Sequence, residues 1–287
     1  MFKRQTTGSI VCPACERLVG INDSKCFNCG RPNPGMWGYA LLFRRLGYDL
    51  SFVDVVIWGC CGLYLATLAT SLLVDSDNIG VGGPFSLLSP GPKSLFLFGE
   101  SGAVPMFVFG RWWTVLSAAW LHGGLLHILF NMMWVRQLAP ATGIEYGMGR
   151  MVIIYTVSSI VGFLASSCSG AFLDFLPGPL RGASFTVGAS APIFGLLGAL
   201  VYSGKRGSSA MGRQAMTFAV ILFVFGLVMP RIDNWAHLGG FAGGYLVSKK
   251  LDPLQPERTD HLIIALICVG LTVLSILLSI IHGLKFL

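Results

Sequence analysis

Residues 186–195 read TVGASAPIFG and place a single serine, Ser190, in a segment of small and apolar residues. A glycine just upstream of the serine permits an unusual backbone turn. Pro192 fits the first turn of a helix, where a missing N–H costs nothing. The pattern predicts a helix that starts here with Ser190 at about its N-cap, beside free backbone N–H groups. The serine is then either a helix cap or a nucleophile. In the second case the free N–H groups would bind the oxyanion that forms on the attacked carbonyl group.

The composition around this stretch is that of an integral membrane protein. Of 287 residues, 54% are hydrophobic and only 11% are charged, against about a quarter charged in soluble domains. Seven apolar runs are candidates to cross the roughly 30 Å of bilayer hydrocarbon. The fourth and sixth are short and glycine-rich, as expected of helices surrounded by protein rather than lipid. The seven runs are residues 53–74, 113–138, 151–173, 187–202, 211–229, 235–247 and 262–282.

The basic residues are unevenly divided between the two sides of these spans. With the N-terminus inside, inner segments hold fifteen of the 20 Lys and Arg residues and outer segments hold five. Basic residues are enriched on the cytoplasmic side of membrane proteins, so we expect a cytoplasmic N-terminus in a cell or inner membrane. The net charge of +7 then reflects topology, and no nucleic-acid partner is expected. The polar first 35 residues also lack the apolar core of a cleavable signal peptide.

Four cysteines near the N-terminus form two Cys-x-x-Cys pairs ten residues apart: Cys12, Cys15, Cys26 and Cys29. Four thiolates in this spacing can bind structural Zn²⁺ in a tetrahedron. Two disulfides are the alternative, which a reducing cytoplasm disfavours. A four-cysteine site leaves no position open for catalysis, so we expect a docking or regulatory role, with a cytoplasmic protein as a possible partner. We divide the chain into a zinc-ribbon-like module (residues 1–35), a linker (36–52) and a membrane domain (53–287).

Five polar side chains inside the spans are functional candidates, because such groups are costly at membrane depth. His127 and Asn131 lie one helical turn apart on the second span, and His122 precedes them near the outer edge. Ser190 and His237 begin the fourth and sixth spans. These groups either brace the bundle separately or share one site. Their common depth near the outer ends of three spans favours a single water-accessible cavity, with Ser190 as nucleophile and His237 as base.

Glycine spacing predicts how the serine and the histidine meet. Gly240 and Gly244 follow His237 at i+3 and i+7 and form a GxxxG surface on the sixth span. The fourth span has a small face of its own at Gly195 and Gly198. Helices with such faces approach closely, which would bring the histidine within reach of the serine.

Three motifs, in this order, resemble those of the rhomboid intramembrane serine proteases. They are LHGGLLHILFN (residues 121–131), GASAPIFGLLGA (188–199) and AHLGGFAGG (236–244), together with Gly143 and Glu145 in the inner loop between them. The resemblance implies an all-α polytopic membrane protein with a rhomboid-like core of six helices. A seventh transmembrane helix follows this core at the C-terminus, and the zinc-ribbon-like module precedes it.

The resemblance also implies a role for each candidate. Ser190 would be the acyl-forming nucleophile and His237 its general base, in a dyad without a carboxylate. His127 and Asn131, with the Ser190 backbone N–H, would form the oxyanion hole. Phe194 would be the ring that packs on the histidine. The implied activity is hydrolysis of a peptide bond in or near a transmembrane helix of another protein, with no catalytic cofactor.

Two positions depart from the family pattern. The glycine usual after the nucleophile is Ala191 here, a change of one methyl group that a side-chain-compatible backbone would tolerate. The Trp-Arg pair usual ahead of the second span ends in Thr114, so the arginine that pins the embedded first loop (residues 75–111) is absent. Arg111 and Trp112 are the candidates to replace it.

Two other classes of function remain open at this point. A catalytically inactive relative would bind and guide transmembrane helices of client proteins. A transporter or metal carrier would use the membrane histidines, but the sequence shows neither a carboxylate beside them nor an inverted repeat. Whether the protein is a protease or an inactive relative, the expected partners are transmembrane proteins and the lipid bilayer.

Overall fold

The chain folds into a small two-stranded module followed by a bundle of long helices. The computed structural model describes residues 4–42, 52–80, 86–173, 175–176, 180–207, 209–229 and 232–286. In the module, strand β1 (Ser9–Val11) pairs antiparallel with β2 (Leu18–Gly20), and Ile10 lies opposite Val19. The module's core also contains Met36, just beyond the boundary predicted at residue 35, and that division of the chain stays a prediction.

Seven long helices correspond to the seven predicted apolar runs. They are α1 (Phe52–Val74), α4 (Leu125–Tyr146), α5 (Met148–Phe172), α6 (Ser190–Arg206), α7 (Ser209–Val228), α8 (Asn234–Lys250) and α9 (Thr259–Gly283). Two short helices, α2 (Pro92–Phe98) and α3 (Thr114–Ser117), lie between α1 and α4. Within the described residues, four helices are long and apolar enough to span a membrane: α1, α5, α7 and α9. The helical membrane fold is confirmed, whereas the count of seven spans stays a prediction.

The predicted second span is broken rather than continuous. A first piece, Thr114–Trp120, meets α4 at a bend of 95°. The backbone is extended at Leu121, and the Gly124 N-cap is not helical, in keeping with the low helix propensity of glycine. Helix α4 then runs further than expected, so Gly143 and Glu145, predicted in a loop, lie in its last turns. Counting this bent pair as one span raises the number of membrane-crossing candidates to five.

Helices α5, α6 and α8 form the centre of the bundle. Nearly every residue of α6 from Ala191 to Val201 is buried. A Cβ at Gly240 of α8 would overlap the Ala191 carbonyl group, and one at Gly244 would overlap the Gly195 carbonyl group. The backbones of α6 and α8 therefore touch along the predicted small faces, because any larger residue would hold them apart.

The module rests on the start of α9. The Thr259 N–H donates to the Pro13 carbonyl at 3.0 Å. Arg31 pairs with Asp260, and Ile263 packs against the apolar core of the module. A cavity of about 300 Å³ lies beside this contact, lined by residues of the module, of the α4–α5 turn and of the segment before α9.

Candidate functional site

Ser190 is the first residue of α6 rather than its N-cap. The N-cap is Ala189, and no side chain caps the helix. We expected Ser190 at about the N-cap, and it lies one residue further along, so the hydroxyl does not cap this helix. Ser190 is half-buried, and its side chain makes no hydrogen bond within the described part of the chain. Its backbone N–H belongs to the first turn, where helix N–H groups lack intrahelical acceptors.

The approach segment, residues 183–189, brings the serine to the start of α4. Gly188 has φ +135°, a conformation that side chains rarely adopt. A Cβ at this position would meet Nε2 of His127 at 2.6 Å. The Gly188 N–H donates to the Ala118 carbonyl at 2.9 Å and holds the segment in place. The predicted unusual turn before Ser190 is confirmed.

Ala191 causes no strain in this turn. It is absent from the positive-φ positions of the described chain and lies inside helix α6. A residue in helical conformation tolerates a methyl side chain. This departure from the family pattern is therefore compatible with the local fold.

His237 lies in the first turn of α8 and stacks on Phe194. The ring centroids are 4.2 Å apart and the rings are tilted by only 12°. The histidine is 6% exposed, and its Nδ1 atom has no hydrogen-bond partner among the described residues. The structure thus brings α6 and α8 together at Phe194 and His237, one helical turn after Ser190. Within the described residues, no hydrogen bond joins the side chains of Ser190 and His237.

A residue that the sequence reasoning missed, Asp233, fixes the start of α8. Its Oδ1 accepts a hydrogen bond from the Ala236 N–H at 3.0 Å, which makes it the N-cap. Its Oδ2 accepts a hydrogen bond of 2.5 Å from the Ser166 hydroxyl of α5. The aspartate just before the AHLGG motif was the available signal, since Asp is among the preferred N-cap residues. Its contact with Ser166 had no local signal.

His127 and Asn131 face the approach segment from α4. The Gly123 N–H donates to Nδ1 of His127 at 3.3 Å, so a neutral ring carries its proton on Nε2, the atom beside Gly188. One Asn131 Nδ2–H donates to the His127 carbonyl at 3.0 Å, which leaves the second amide hydrogen free. Both groups can therefore offer a donor close to Ser190.

His122 is placed differently from the other candidates. It is fully buried and presents its ring edge-on to His127, with 5.2 Å between centroids. Neither of its ring nitrogens has a hydrogen-bond partner among the described residues. The other two histidines serve helix ends: His261 accepts a hydrogen bond from the Arg258 N–H, and His282 packs on Trp113.

The four N-terminal cysteines converge on one point. Their four sulfur atoms lie within 4.8 Å of one another: Cys12, Cys15, Cys26 and Cys29. The Sγ–Sγ distances are 3.8 Å for Cys12 and Cys29 and 3.7 Å for Cys15 and Cys26. A tetrahedron with Zn–S bonds of about 2.3 Å has edges of about 3.8 Å, so the arrangement fits zinc. All four are free thiols, and the hydrogen bond from the Arg17 backbone lowers the pKa of Cys15 to about 6.

The cysteine cluster and the serine lie at opposite ends of α4. His127 near the start of this helix meets the approach segment, whereas Gly147 just beyond its end shares a cavity with Cys12. Twenty helical residues span about 30 Å. A metal in the module is therefore too far away to act directly on a bond at Ser190.

Comparison with known proteins shows similarity to rhomboid proteins. The rhomboid domain matches residues 110–252. Rhomboid protease GluP of Bacillus subtilis (strain 168) is 32% identical over 169 residues, which are 57% of this chain and 31% of GluP. RHOMBOID-like protein 4 of Arabidopsis thaliana is 33% identical over 164 residues, 55% of this chain and 39% of that protein.

A shorter relative is covered more completely. YdcA of Bacillus subtilis (strain 168) is 31% identical over 143 residues, 48% of this chain and 67% of YdcA. The chain thus spans less than half of GluP and of RHOMBOID-like protein 4 but two thirds of YdcA. With its apolar helices and these matches, the chain is an integral multi-pass membrane protein that belongs to the rhomboid family.

Proposed function

We propose that this protein is an intramembrane serine endopeptidase that cleaves transmembrane segments of other membrane proteins. The observation that carries the proposal is the stacking of the His237 ring on the Phe194 ring. Phe194 lies one helical turn after Ser190, whose hydroxyl does not cap the helix. A catalytic serine needs an adjacent base, and this contact orients the imidazole at the start of α6.

In the proposed reaction, His237 takes the proton of the Ser190 hydroxyl while the oxygen attacks the peptide carbonyl. The tetrahedral intermediate collapses, the peptide C–N bond breaks, and the histidine returns the proton to the leaving amine. Water then hydrolyses the acyl-enzyme by the same route. No carboxylate bonds to Nδ1 of the histidine among the described residues, so Phe194 orients the base instead.

The oxyanion hole of this proposal consists of three donors. They are Nε2–H of His127, the free Nδ2–H of Asn131 and the Ser190 backbone N–H. The first two face the Gly188 turn, and the third lies at an open helix start. Removing one such donor costs about 3 kcal/mol of transition-state stabilisation, so Asn131→Ala should slow cleavage roughly a hundredfold without abolishing it.

The substrate class follows from the bilayer. A transmembrane helix satisfies its own backbone groups and must unwind before a peptide bond can reach a nucleophile. Segments with small or helix-breaking residues near the outer membrane surface would unwind most easily. We place the N-terminus in the cytoplasm and the opening of the site on the outer side, as the Lys and Arg distribution favours.

We further propose that Cys12, Cys15, Cys26 and Cys29 hold a structural zinc ion. The bound ion would cross-link the two knuckles and stabilise a module too small to fold on its own core. Its cysteine ligands leave no open coordination position, so the module serves docking or regulation. A cytoplasmic protein partner for it stays a prediction.

The decisive experiment compares wild type with Ser190→Ala on a reporter membrane substrate and with a fluorophosphonate probe. We expect wild type to cleave and to be labelled, and the variant to do neither. Cleavage at full rate by the variant would refute the proposal. Wild type that neither cleaves nor is labelled, but still captures transmembrane helices, would instead identify an inactive guide of client helices.

A further inference from the structure

The C-terminal half of α9 holds the residue before α3, Trp113, through side-chain hydrogen bonds. Ser275 and Ser279 lie one turn apart on one face of this helix. The Trp113 Nε1–H donates to the Ser279 hydroxyl at 3.0 Å. The Ser275 hydroxyl donates to the Trp113 carbonyl at 2.7 Å. Two serines of this largely apolar helix thus bind one tryptophan, Ser279 through the ring N–H and Ser275 through the backbone carbonyl.

Arg111 ties the same face of α9 to the first loop. It is fully buried, which is costly for a charged group at membrane depth. Its Nη2 donates to the Ser279 carbonyl at 2.9 Å and its Nη1 to the Phe96 carbonyl at 2.7 Å. The guanidinium also lies 4.1 Å from the centroid of the Phe96 ring. Buried Glu100 is its acidic neighbour.

These contacts decide between the two candidates for the missing arginine of the family pattern. Trp112 is 70% exposed, and among the described residues no hydrogen bond joins it to α9. Arg111 makes two hydrogen bonds that join the loop to a helix 168 residues away in sequence. It therefore replaces the absent arginine, with α9 as its acceptor.

The first loop in turn holds the approach segment of Ser190. Ser101 and Thr186 exchange backbone hydrogen bonds of 3.0 and 2.8 Å, and the Ala103 N–H donates to the Ala183 carbonyl at 3.0 Å. The Ser117 hydroxyl donates to the Gly99 carbonyl at 2.8 Å. A short two-stranded pairing thus connects the loop on α9 to the turn that presents the nucleophile.

We infer that α9 is part of the catalytic scaffold, and that Ser275, Ser279 and Arg111 are positioning residues that set the approach segment of Ser190 through the first loop. The inference rests on the proposed function for its catalytic consequence, but the structural coupling stands apart from it. If α9 were only an apolar anchor, its two serine hydroxyls would be replaceable by hydrogen without effect on a segment they do not touch.

The test uses the full chain in lipid nanodiscs and compares wild type, the double variant Ser275→Ala/Ser279→Ala and the control Thr272→Ala. Thr272 lies on the same helix, and among the described residues its hydroxyl bonds only to the Cys268 carbonyl of that helix. Hydrogen exchange is measured at residues 99–104 and 183–186, together with the fluorophosphonate labelling rate of Ser190 and the kcat and KM of substrate cleavage.

We expect the double variant to differ from wild type and from Thr272→Ala both in hydrogen exchange and in the labelling rate of Ser190. Loss of two hydrogen bonds should raise exchange in both segments and slow labelling about tenfold. The loss should fall on kcat with KM unchanged, because the nucleophile moves while the rest of the binding surface stays. Arg111→Lys, which keeps the charge but cannot bridge two carbonyls, should reproduce the effect. The two single serine variants serve if the double variant is poorly folded.

Unchanged exchange in residues 183–186 in the serine variants and in Arg111→Lys would overturn the inference. Raised exchange with an unchanged labelling rate would overturn it equally, since the segment would then move without consequence for the serine. A wild-type protein that is never labelled would count against the proposed protease, while the exchange data would still decide whether α9 sets the approach segment.

Discussion

The contact between α6 and α8 and the contact between α9 and the first loop are built from opposite materials. Between α6 and α8 the backbones touch at Gly240 and Gly244, and the nearest functional side chains meet as stacked rings. On the other side, α9 makes hydrogen bonds to Arg111 at the end of the first loop and to Trp113 just after it, and these bonds are buried or partly buried. The first contact depends on shape and the second on polar pairing, so they should fail in different ways.

The largest effect should come from a third region that neither contact includes, the N-terminal cysteine module with its proposed zinc ion. Removing zinc, by chelation or by Cys26→Ser, should abolish hydrogen-exchange protection in residues 8–21, since structural zinc contributes about 10 kcal/mol or more to such small folds. Residues 190–206 and 234–250 should keep theirs. Cys168→Ser, at an exposed cysteine of α5, is the control. Loss of protection in α6 and α8 as well would show that the module supports the bundle.

Gly240→Ala should break the shape-dependent contact. The new methyl group would overlap the Ala191 carbonyl, and overpacking of this kind costs about 1–3 kcal/mol. Helices α6 and α8 would separate, so the thermal midpoint and the labelling of Ser190 should fall together. Gly270→Ala on α9, where a Cβ meets nothing within 4 Å, should leave both unchanged. Equal midpoints for the two variants would contradict backbone contact between α6 and α8.

Gly99→Ala should disturb the polar contact with a smaller loss of stability. Gly99 has φ +104°, and a Cβ there would crowd the hydroxyls of Ser117 and Ser279. Left-handed backbone costs a residue with a side chain about 1–2 kcal/mol, but a loop relaxes more readily than a helix core. Exchange at residues 99–104 should rise. Gly110→Ala is the matched control, since it also has positive φ but an open surround. If Gly99→Ala and Gly110→Ala raised exchange equally, backbone strain alone would explain the result and the predicted crowding of Ser117 and Ser279 would be wrong.

The smallest effect should come from the ion pair that seats the module on α9. Asp260→Asn removes the carboxylate that Arg31 and Arg258 share. Partly exposed pairs contribute about 0–1 kcal/mol, so the midpoint should shift little, and the shift should shrink as salt is raised. Asp252→Asn, which loses a longer pair with Arg206, offers a comparison. A loss of several kcal/mol at Asp260 would show that the module is held mainly by this pair.

Much of the site was predictable because its signals are local. The glycine before Ser190, the turn-spaced pair His127 and Asn131, and the GxxxG face after His237 are each contained within about ten residues. Helical periodicity converts such spacing directly into shared faces. The boundary errors, at the cap of α6 and the end of α4, arose where glycine and proline permit several starts and stops without fixing one.

The contacts between distant segments were not predictable in the same way. The 95° break before α4 and the bond between Asp233 and Ser166 depend on where neighbouring helices leave space. The pairing of Ser101 with Thr186 joins two short stretches that carry no strand-like alternation. None of these has a repeat or spacing along the chain from which it could be derived.

The sequence by itself determined the membrane character of the chain, its apolar runs, the four cysteines that could hold a metal ion, and the identity of the candidate nucleophile and base. These features depend on composition and on periodicities of a few residues, so neighbouring residues in the sequence are enough to determine them. Only the tertiary structure decided that Arg111 joins the Phe96 carbonyl of the first loop to the Ser279 carbonyl of α9. That outcome requires buried donors and acceptors to find one another across 168 residues, and such pairing is settled only when the whole bundle packs.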